Sequence, residues 1–474
     1  MRSSFFMCLS CARIVTMSQT ETKTIGKDYS LPELIKFAIP AILNEFIFNL
    51  LYTLDDGLFI TRYVGTTAES AFSIIFPVFM MHNAISSLLS GTAVLVARKM
   101  GEKKDEEAKS DFTTIVLFAL FVGLILSFLE YTFKDQILAL LGSNEAIYPY
   151  ARSFLSINCF YVYLGIMGSV MVRFYVSAGS PKMELFSTLM NVGSNLLFDW
   201  YFVVYKGIGM AGAAYANLIA NLINVAIGII FYSGKKCEVG FVRPRSDLKV
   251  LLKEGCRYGL PAFFSSLSVG VGALIANYAI LRFGDENYLA AYTIVNNISF
   301  TFMSGYFGLF SATGPLLSYA MGEKNIVKLK RLYRQIVIAT GLLVCVSILM
   351  FVLFSAPIAV LFTGEAAADI KDLIVYGLRI SPYGFLFFGY NVAARMSFSA
   401  LGNFRSSTFI TIMQEIVFSN LTIILLPLMF GVKGIWFSFT CANILTLFVT
   451  LIVVYVNRDN YGYGKSGLAL LVDR

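Results

Sequence analysis

The stretch "FAIPAILNEFIFNLLYTLDDGLFI", residues 37–60, decides the fold class. At about 1.5 Å per residue it is long enough to cross ~30 Å of hydrocarbon as a helix. Yet it carries Glu45, Asn49, Tyr52, Asp55 and Asp56. The spacing i, i+4, i+7, i+11 puts Glu45, Asn49, Tyr52 and Asp56 on one narrow stripe, with Asp55 about 100° away. A polar stripe on a spanning helix faces protein or water, never lipid. Asp55 reads as a headgroup-level carboxylate near Arg62, whereas Asp56 lies on the inward face.

The remaining chain agrees with a bilayer protein. Of 474 residues, 57% are hydrophobic and only 14% charged, with mean hydropathy +0.72. Soluble domains hold about 25% charged residues. The 43 Phe and 26 Tyr against 2 Trp suit helices packed in lipid with tyrosines near the interfaces. The net charge of +8 sits in short loops between apolar runs, which disfavours nucleic acid as a partner. The seven cysteines form no disulfide framework: Cys159, Cys345 and Cys441 fall inside apolar runs, and the Cys8–Cys11 pair has no βαβ context. "FFMCLSCARIV" is interrupted by Arg13 and lacks a cleavage site, so "MSQTETKTIGKDYS" from Met17 is the expected true start.

Twelve apolar segments lie near 34–60, 69–97, 112–133, 150–176, 183–205, 210–233, 255–282, 288–319, 333–362, 372–400, 406–430 and 434–457. Basic residues crowd the loops after the second, sixth and eighth (Lys103, Lys104, Lys235, Lys236, Arg243, Lys328, Arg331 among them), while the other loops hold mostly single charges. The positive-inside rule then places both termini in the cytoplasm. The chain also repeats itself. "FAIPA" (37–41) recurs as "YGLPA" (258–262), "KMGEKK" (99–104) as "AMGEKN" (320–325), and "AGSPK" (178–182) as "LGNFR" (401–405), displaced by 221 to 223 residues. Six spans per repeat is an even number, so the halves run parallel. The expected organisation is a cytoplasmic tail over 1–30, a first lobe over 31–232, a cytoplasmic linker over 233–254, a second lobe over 255–457 and a cytoplasmic tail over 458–474. The expected fold is an all-α integral membrane protein, twelve transmembrane helices in two parallel six-helix repeats forming a V-shaped pair of lobes.

Intramembrane ionisable groups are functional candidates because each costs about 2.5–3.5 kcal/mol or more to place centrally. The fifth segment repeats the device of the first, with Ser187, Asn191, Asn195 and Asp199 at i, i+4, i+8, i+12, and the sixth adds Asn217, Asn221 and Asn224. The first half thus places Glu45, Asp56 and Asp199 within spans, while the second half offers clearly only Glu415. An acidic, amide-rich pocket in one lobe suits a proton or sodium ion, since buried carboxylates gain proton affinity and carboxylate and amide oxygens are hard ligands. His82, the single histidine, reads as a helix-packing hydrogen bond, and Arg395 either meets anionic cargo or pairs with Glu415. No phosphate loop, zinc helix or nucleophile elbow occurs, so ATP drive from this chain and enzyme catalysis are disfavoured.

These residues carry a resemblance. "LLYTLDDGLFITRYVG" resembles the end of the first helix in multidrug and toxic compound extrusion (MATE) transporters, where Y-N-L-x-D-x-x-F-x-G-x-x-x-G is typical. "FYVSAGSPKMELFSTLMNVGSNLLFDWYFVVYKGIGMAGAAYAN" resembles their fifth and sixth helices, with "SALGNFRSS" and "FGVKGIW" as the second-lobe counterpart. The likeness spans about 30–457 and is to bacterial members of the DNA-damage-inducible or multi-antimicrobial extrusion type. It implies that Asp56, Asn195 and Asp199 form the first-lobe cation site. Asn217 stands where the family often has threonine, and Thr61 where it often has glycine. The acid that some members keep in the seventh helix has no match in "LPAFFSSLSVGVGA".

The expectation is therefore a secondary antiporter that exports organic, cationic or amphiphilic compounds in exchange for H⁺ or Na⁺ by alternating access. Asp56, Asn195, Asp199 and Asn217 are the ion-binding residues. Glu45, Asn49, Asn191, Glu415 and Arg395 are accessory ion or substrate candidates, and Pro40 is a hinge. No cofactor beyond the coupling ion and no structural metal is expected. The partners are small organic substrates and the lipid bilayer, with a monomer in the bacterial cytoplasmic membrane. The rivals are a lipid-linked saccharide flippase of the same superfamily and a ligand-gated channel or sensor.

Overall fold

The structure, a computed structural model, describes residues 26–458 apart from 55–59, 61–62, 142, 144, 235–236, 285 and 364–367. Asp55, Asp56 and Thr61 therefore lie outside the described residues. No strand occurs among those described. The chain divides into two compact units, one built from residues 47–259 and the other from 29–46 with 260–458. Each repeat's first helix is thus shared out: α1 (Leu31–Leu54) gives its opening turns to the second unit, and α9 (Leu248–Phe283) gives its opening turns to the first.

The first unit continues with α2 (Thr66–Ser90) and α3 (Thr92–Gly101), which meet at Gly91, then the long α4 (Asp105–Leu140). α5 (Tyr148–Asn158) and α6 (Val162–Ser177) form one rod bent by 61°. α7 (Pro181–Asp199) runs on as a π-helical segment over Trp200–Tyr205, and α8 (Met210–Tyr232) returns. Local chemistry sets the boundaries. Asp105, Glu106 and Glu107 occupy the first turn of α4, where the helix dipole favours anions. Pro181 opens α7 at a position that needs no N–H. A core of Ile60, Ala71, Ile75, Leu138, Phe154, Leu155, Met210 and their neighbours binds α2, α4, α5 and α8 together. Elsewhere small residues let backbones touch: a Cβ on Gly91 would lie 2.2 Å from the Gly259 nitrogen, and one on Gly259 would lie 2.2 Å from the Leu88 carbonyl oxygen.

The stretch after α8 is strapped to this unit. Val242 N donates to Thr113 Oγ1 (3.0 Å), Arg245 N and Ser246 N donate to Ser110 Oγ (2.8 and 3.1 Å), and Ser246 Oγ donates to Asp111 Oδ1 (2.6 Å). Lys99 Nζ closes the group 2.6 Å from Asp111 Oδ2.

The second unit holds α10 (Glu286–Gly322), α11 (Ile326–Thr363), α12 (Ala368–Ile380), α13 (Pro382–Ala400), α14 (Phe404–Thr411), a π-helical segment over Ile412–Phe418, α15 (Ser419–Phe430) and α16 (Gly434–Val456). Its centre is aromatic: Phe302, Phe351 and Phe385 form a chain with ring centroids 4.7 and 5.4 Å apart, and Tyr306 stacks on Phe385. Beside it Asn391, Gln414, Asn443 and Thr450 satisfy one another at 2.8–3.0 Å across three rods.

The backbone records the duplication. Among the described residues, six of the eight with positive φ fall in pairs, at Lys103 and Lys324 (φ 60° and 55°), Gly179 and Gly402 (70° and 86°), and Gly209 and Gly431 (68° and 63°). Their displacements match those of the sequence repeats. The break between α5 and α6 likewise recurs between α12 and α13. By length and apolarity alone, five helical stretches of the described residues qualify as membrane spans, six if the bent α5–α6 pair is one. Polar stripes and bends dilute the rest.

Candidate functional site

The fifth rod carries the acid–amide pair expected from sequence. Asn195 Nδ2 donates to Asp199 Oδ2 at 2.8 Å, one helical turn apart. Asp199 is fully buried and Asn195 nearly so, and the helix changes to π-helical geometry directly after Asp199. Such wider turns insert a residue, redirect the flanking side chains and recur at functional sites.

α7 and α8 pack antiparallel. Ser187 Oγ donates to Asn224 Oδ1 at 2.6 Å at one end, and Phe202 meets Gly212 at the other. That register sets Asn217 level with residues 194–197, so α8 brings its amide to the height of the Asn195–Asp199 pair. Asn217 Nδ2 donates to the Ala213 carbonyl (3.2 Å) and Asn221 Nδ2 to the Asn217 carbonyl (2.9 Å). Each amide thereby turns its NH₂ to its own helix and its oxygen away from it, the orientation a hard cation or an acidic proton requires. Asn191 is half-buried one turn before Asn195.

Glu45 is buried and belongs to the second unit, where its backbone carbonyl accepts from Ser304 Oγ at 3.1 Å, whereas Asn49 belongs to the first. Both lie on the continuous helix α1, which also contains Pro40; Asp56 lies outside the described residues.

The second unit settles the alternative left open for Arg395. Its guanidinium lies 3.0 Å from Glu415 Oε1, donates to Ser265 Oγ (3.4 Å) and Thr411 Oγ1 (3.3 Å), and stands 5.6 Å from the Phe307 ring centre. Arg395 is 2% exposed. Glu415 sits within the second π-helical segment and is neutralised by a fixed cation. Asp199, by contrast, accepts from a neutral amide.

Three buried acids escaped the sequence reading. Asp111 holds Lys99 and Ser246; Glu184, fully buried, lies 3.8 Å from Arg173; and Glu130, in the C-terminal third of α4, contacts His82 of α2 and Asn158 of α5. Glu130 was legible as an acid inside an apolar run ("LSFLEYTFK"), but its place near the end of that run mimics an interfacial charge.

The comparisons with known proteins identify the family and the fold. The MatE family pattern matches residues 40–201 and 261–425, one match per repeat. The multidrug export protein MepA of Staphylococcus aureus strain MRSA252 is 24% identical over 446 residues, covering 92% of this chain and 96% of that protein. A crystal structure of MATE in complex with MaL6 superposes with TM-score 0.85 at 23% identity, covering 91% of this chain and 97% of that one. The outward-facing conformation of a multidrug resistance MATE family transporter of the MOP superfamily gives 0.85 at 21%, covering 94% and 99%. The fold is thus all-α and membrane-integral, with twelve spans in two parallel six-helix repeats. The chain belongs to the MatE family, the multidrug and toxic compound extrusion transporters whose helix motifs its own resemble.

Proposed function

We propose that the chain is a secondary antiporter that exports organic cations and amphiphiles in exchange for inward-moving H⁺ or Na⁺. The observation that carries this reading is the fully buried Asp199, partnered by Asn195 and level with the amide of Asn217. An acid held in that way is costly as an anion in lipid, and loading it with a proton or sodium ion removes the cost. The family resemblance assigns Asp56, which lies outside the described residues, to the same site. The names of the relatives support drug export, and the basic loops support cytoplasmic termini in a bacterial cytoplasmic membrane. Pro40, which removes one backbone hydrogen bond in α1, serves as the hinge for alternating access by a monomer.

A flippase for lipid-linked saccharides fits less well, because recognition of pyrophosphate needs cationic groups. The two candidates face acids instead, Arg395 on Glu415 and Arg173 on Glu184. The test is efflux of a fluorescent organic cation from proteoliposomes, with proton and sodium gradients imposed separately. One gradient drives efflux in the wild type, and Asp56→Asn and Asp199→Asn abolish it without loss of membrane insertion. Efflux undiminished in both variants, or ion flux with no counter-transported solute, overturns the reading.

A further inference from the structure

We propose that His82, Glu130 and Asn158 form a second proton-binding site in the first lobe, on helices other than those of the Asp199 site. The inference rests on the antiport reading above and names H⁺ as an ion that the lobe takes up. Glu130 is 95% buried; one carboxylate oxygen is in direct contact with His82 Nε2, and the other accepts from Asn158 Nδ2 at 3.1 Å. Direct contact between an imidazole nitrogen and a carboxylate oxygen requires a proton between them. The pair is then imidazolium–carboxylate or imidazole–carboxylic acid, neutral either way, and losing that proton leaves a net charge of −1 among apolar side chains. The contact leaves no gap for a sodium ion between the two groups, so the chemistry selects the proton. His82 keeps 15% of its side chain exposed.

The surroundings are otherwise poor in charge. Phe79 lies against the His82 ring on α2. On α4, Lys134 stands one turn outward, its Nζ 4.5 Å from the Tyr131 ring centre. Asp135 is taken by Arg152 (3.0 Å) and Tyr148 (2.8 Å) of α5. Cys159 opens the break before α6 and donates to the Leu155 carbonyl. α8, the remaining neighbour of α5, has no charged residue.

Two features separate this trio from ordinary helix packing. First, Asn158 is the last residue of α5, at the 61° break, so the carboxylate is tied to the one element here with a built-in bend. Discontinuous helices are where transporters place ion sites. Second, the duplication supplies an internal control. The same break recurs between α12 and α13, but at the 221-residue displacement Glu130 corresponds to Phe351, buried in the aromatic chain with Phe302 and Phe385. The second repeat interrupts the helix at the matching place with neither an acid nor a histidine at the positions corresponding to Glu130 and His82. The polar trio in the first repeat therefore answers a need other than folding.

Because His82 is the only histidine, one labelled residue type reports the site. A tag-free chain carrying ¹⁵N-imidazole histidine in nanodiscs gives a single ring spectrum. Between pH 5 and 9 it is expected to show one titration. Glu130→Gln, which removes the carboxylate that shares the proton, is expected to change the pH response of that ring spectrum, and an unchanged response overturns the proposal. Saturating tetraphenylphosphonium moves the wild-type midpoint, as linkage between cargo and proton demands. A ring that keeps one protonation state throughout, or a midpoint unmoved by tetraphenylphosphonium, overturns the proposal with no variant needed. In proteoliposomes His82→Gln and Glu130→Gln should cut proton-driven efflux at least tenfold. Wild-type rates in both sink the second site and leave the antiport reading standing. Failure of the wild type under every gradient sinks the antiport reading, while the titration still decides whether His82 binds an exchangeable proton.

Discussion

Two carboxylates, one in each unit, meet opposite partners, and single side chains decide which. Glu415 has a guanidinium 3.0 Å away, whereas Asp199 accepts from the amide of Asn195. A fixed cation suppresses loading by any other, so Glu415 belongs to the architecture of its unit, whereas Asp199 is the acid proposed above to load an ion. This difference yields a stability test. Removing one member of a buried ion pair strands the other and costs about 3–5 kcal/mol, while replacing both with apolar groups is near neutral. Glu415 is 19% exposed, so the lower end of that range applies. Arg395→Met should lower the melting temperature in detergent clearly, and Arg395→Met with Glu415→Leu should regain most of the loss. An unchanged melting temperature in the single variant would show that the pair holds nothing.

At the scale of elements, the duplication is written in backbone dihedrals as well as in sequence. Lys103 and Lys324 both sit in left-handed turns after a helix, although a Cβ makes that conformation unfavourable by roughly 1–2 kcal/mol. Both side chains are exposed, so glycine there relieves the strain and loses only surface contacts. Lys324→Gly is expected to raise thermal stability by about 0.5–1 kcal/mol, partly offset by the freer unfolded chain. Gly402→Ala, at φ 86°, is expected to lower it by about 1–2 kcal/mol. Equal melting curves for all three proteins would refute the argument. The polar stripe on α7 was legible because it depends on short-range periodicity, and the repeats because whole motifs recur 221 to 223 residues on. The π-helical segments and the partners of Glu130 were not. His82 and Asn158 lie 48 and 28 residues from Glu130, and which helices become neighbours is set by packing that no local pattern encodes. An apolar run marks less than the helix that carries it: α4 continues to both sides of the run 112–133.

For the whole molecule, an exchanger needs its two ligands to oppose each other, and the opposition has a sign that binding measurements read. If protons load Asp199 and the His82–Glu130 pair, the loaded protein is the state that holds organic cations less well. Loading rises as pH falls, so cation affinity must fall with it. A tenfold change corresponds to about 1.4 kcal/mol of coupling, within the ordinary range for linked sites. Tetraphenylphosphonium binding to purified protein should weaken about tenfold or more between pH 8 and pH 6. Asp199→Asn and Glu130→Gln should each flatten that slope, because an amide takes up no proton in this range, and the double variant should flatten it further. Reciprocity supplies the check: adding the cation at constant pH must release protons into a weakly buffered solution, in proportion to the slope. Binding that is independent of pH, with no proton release, would leave sodium as the coupling ion, and the same titration against sodium at fixed ionic strength would then show the slope instead.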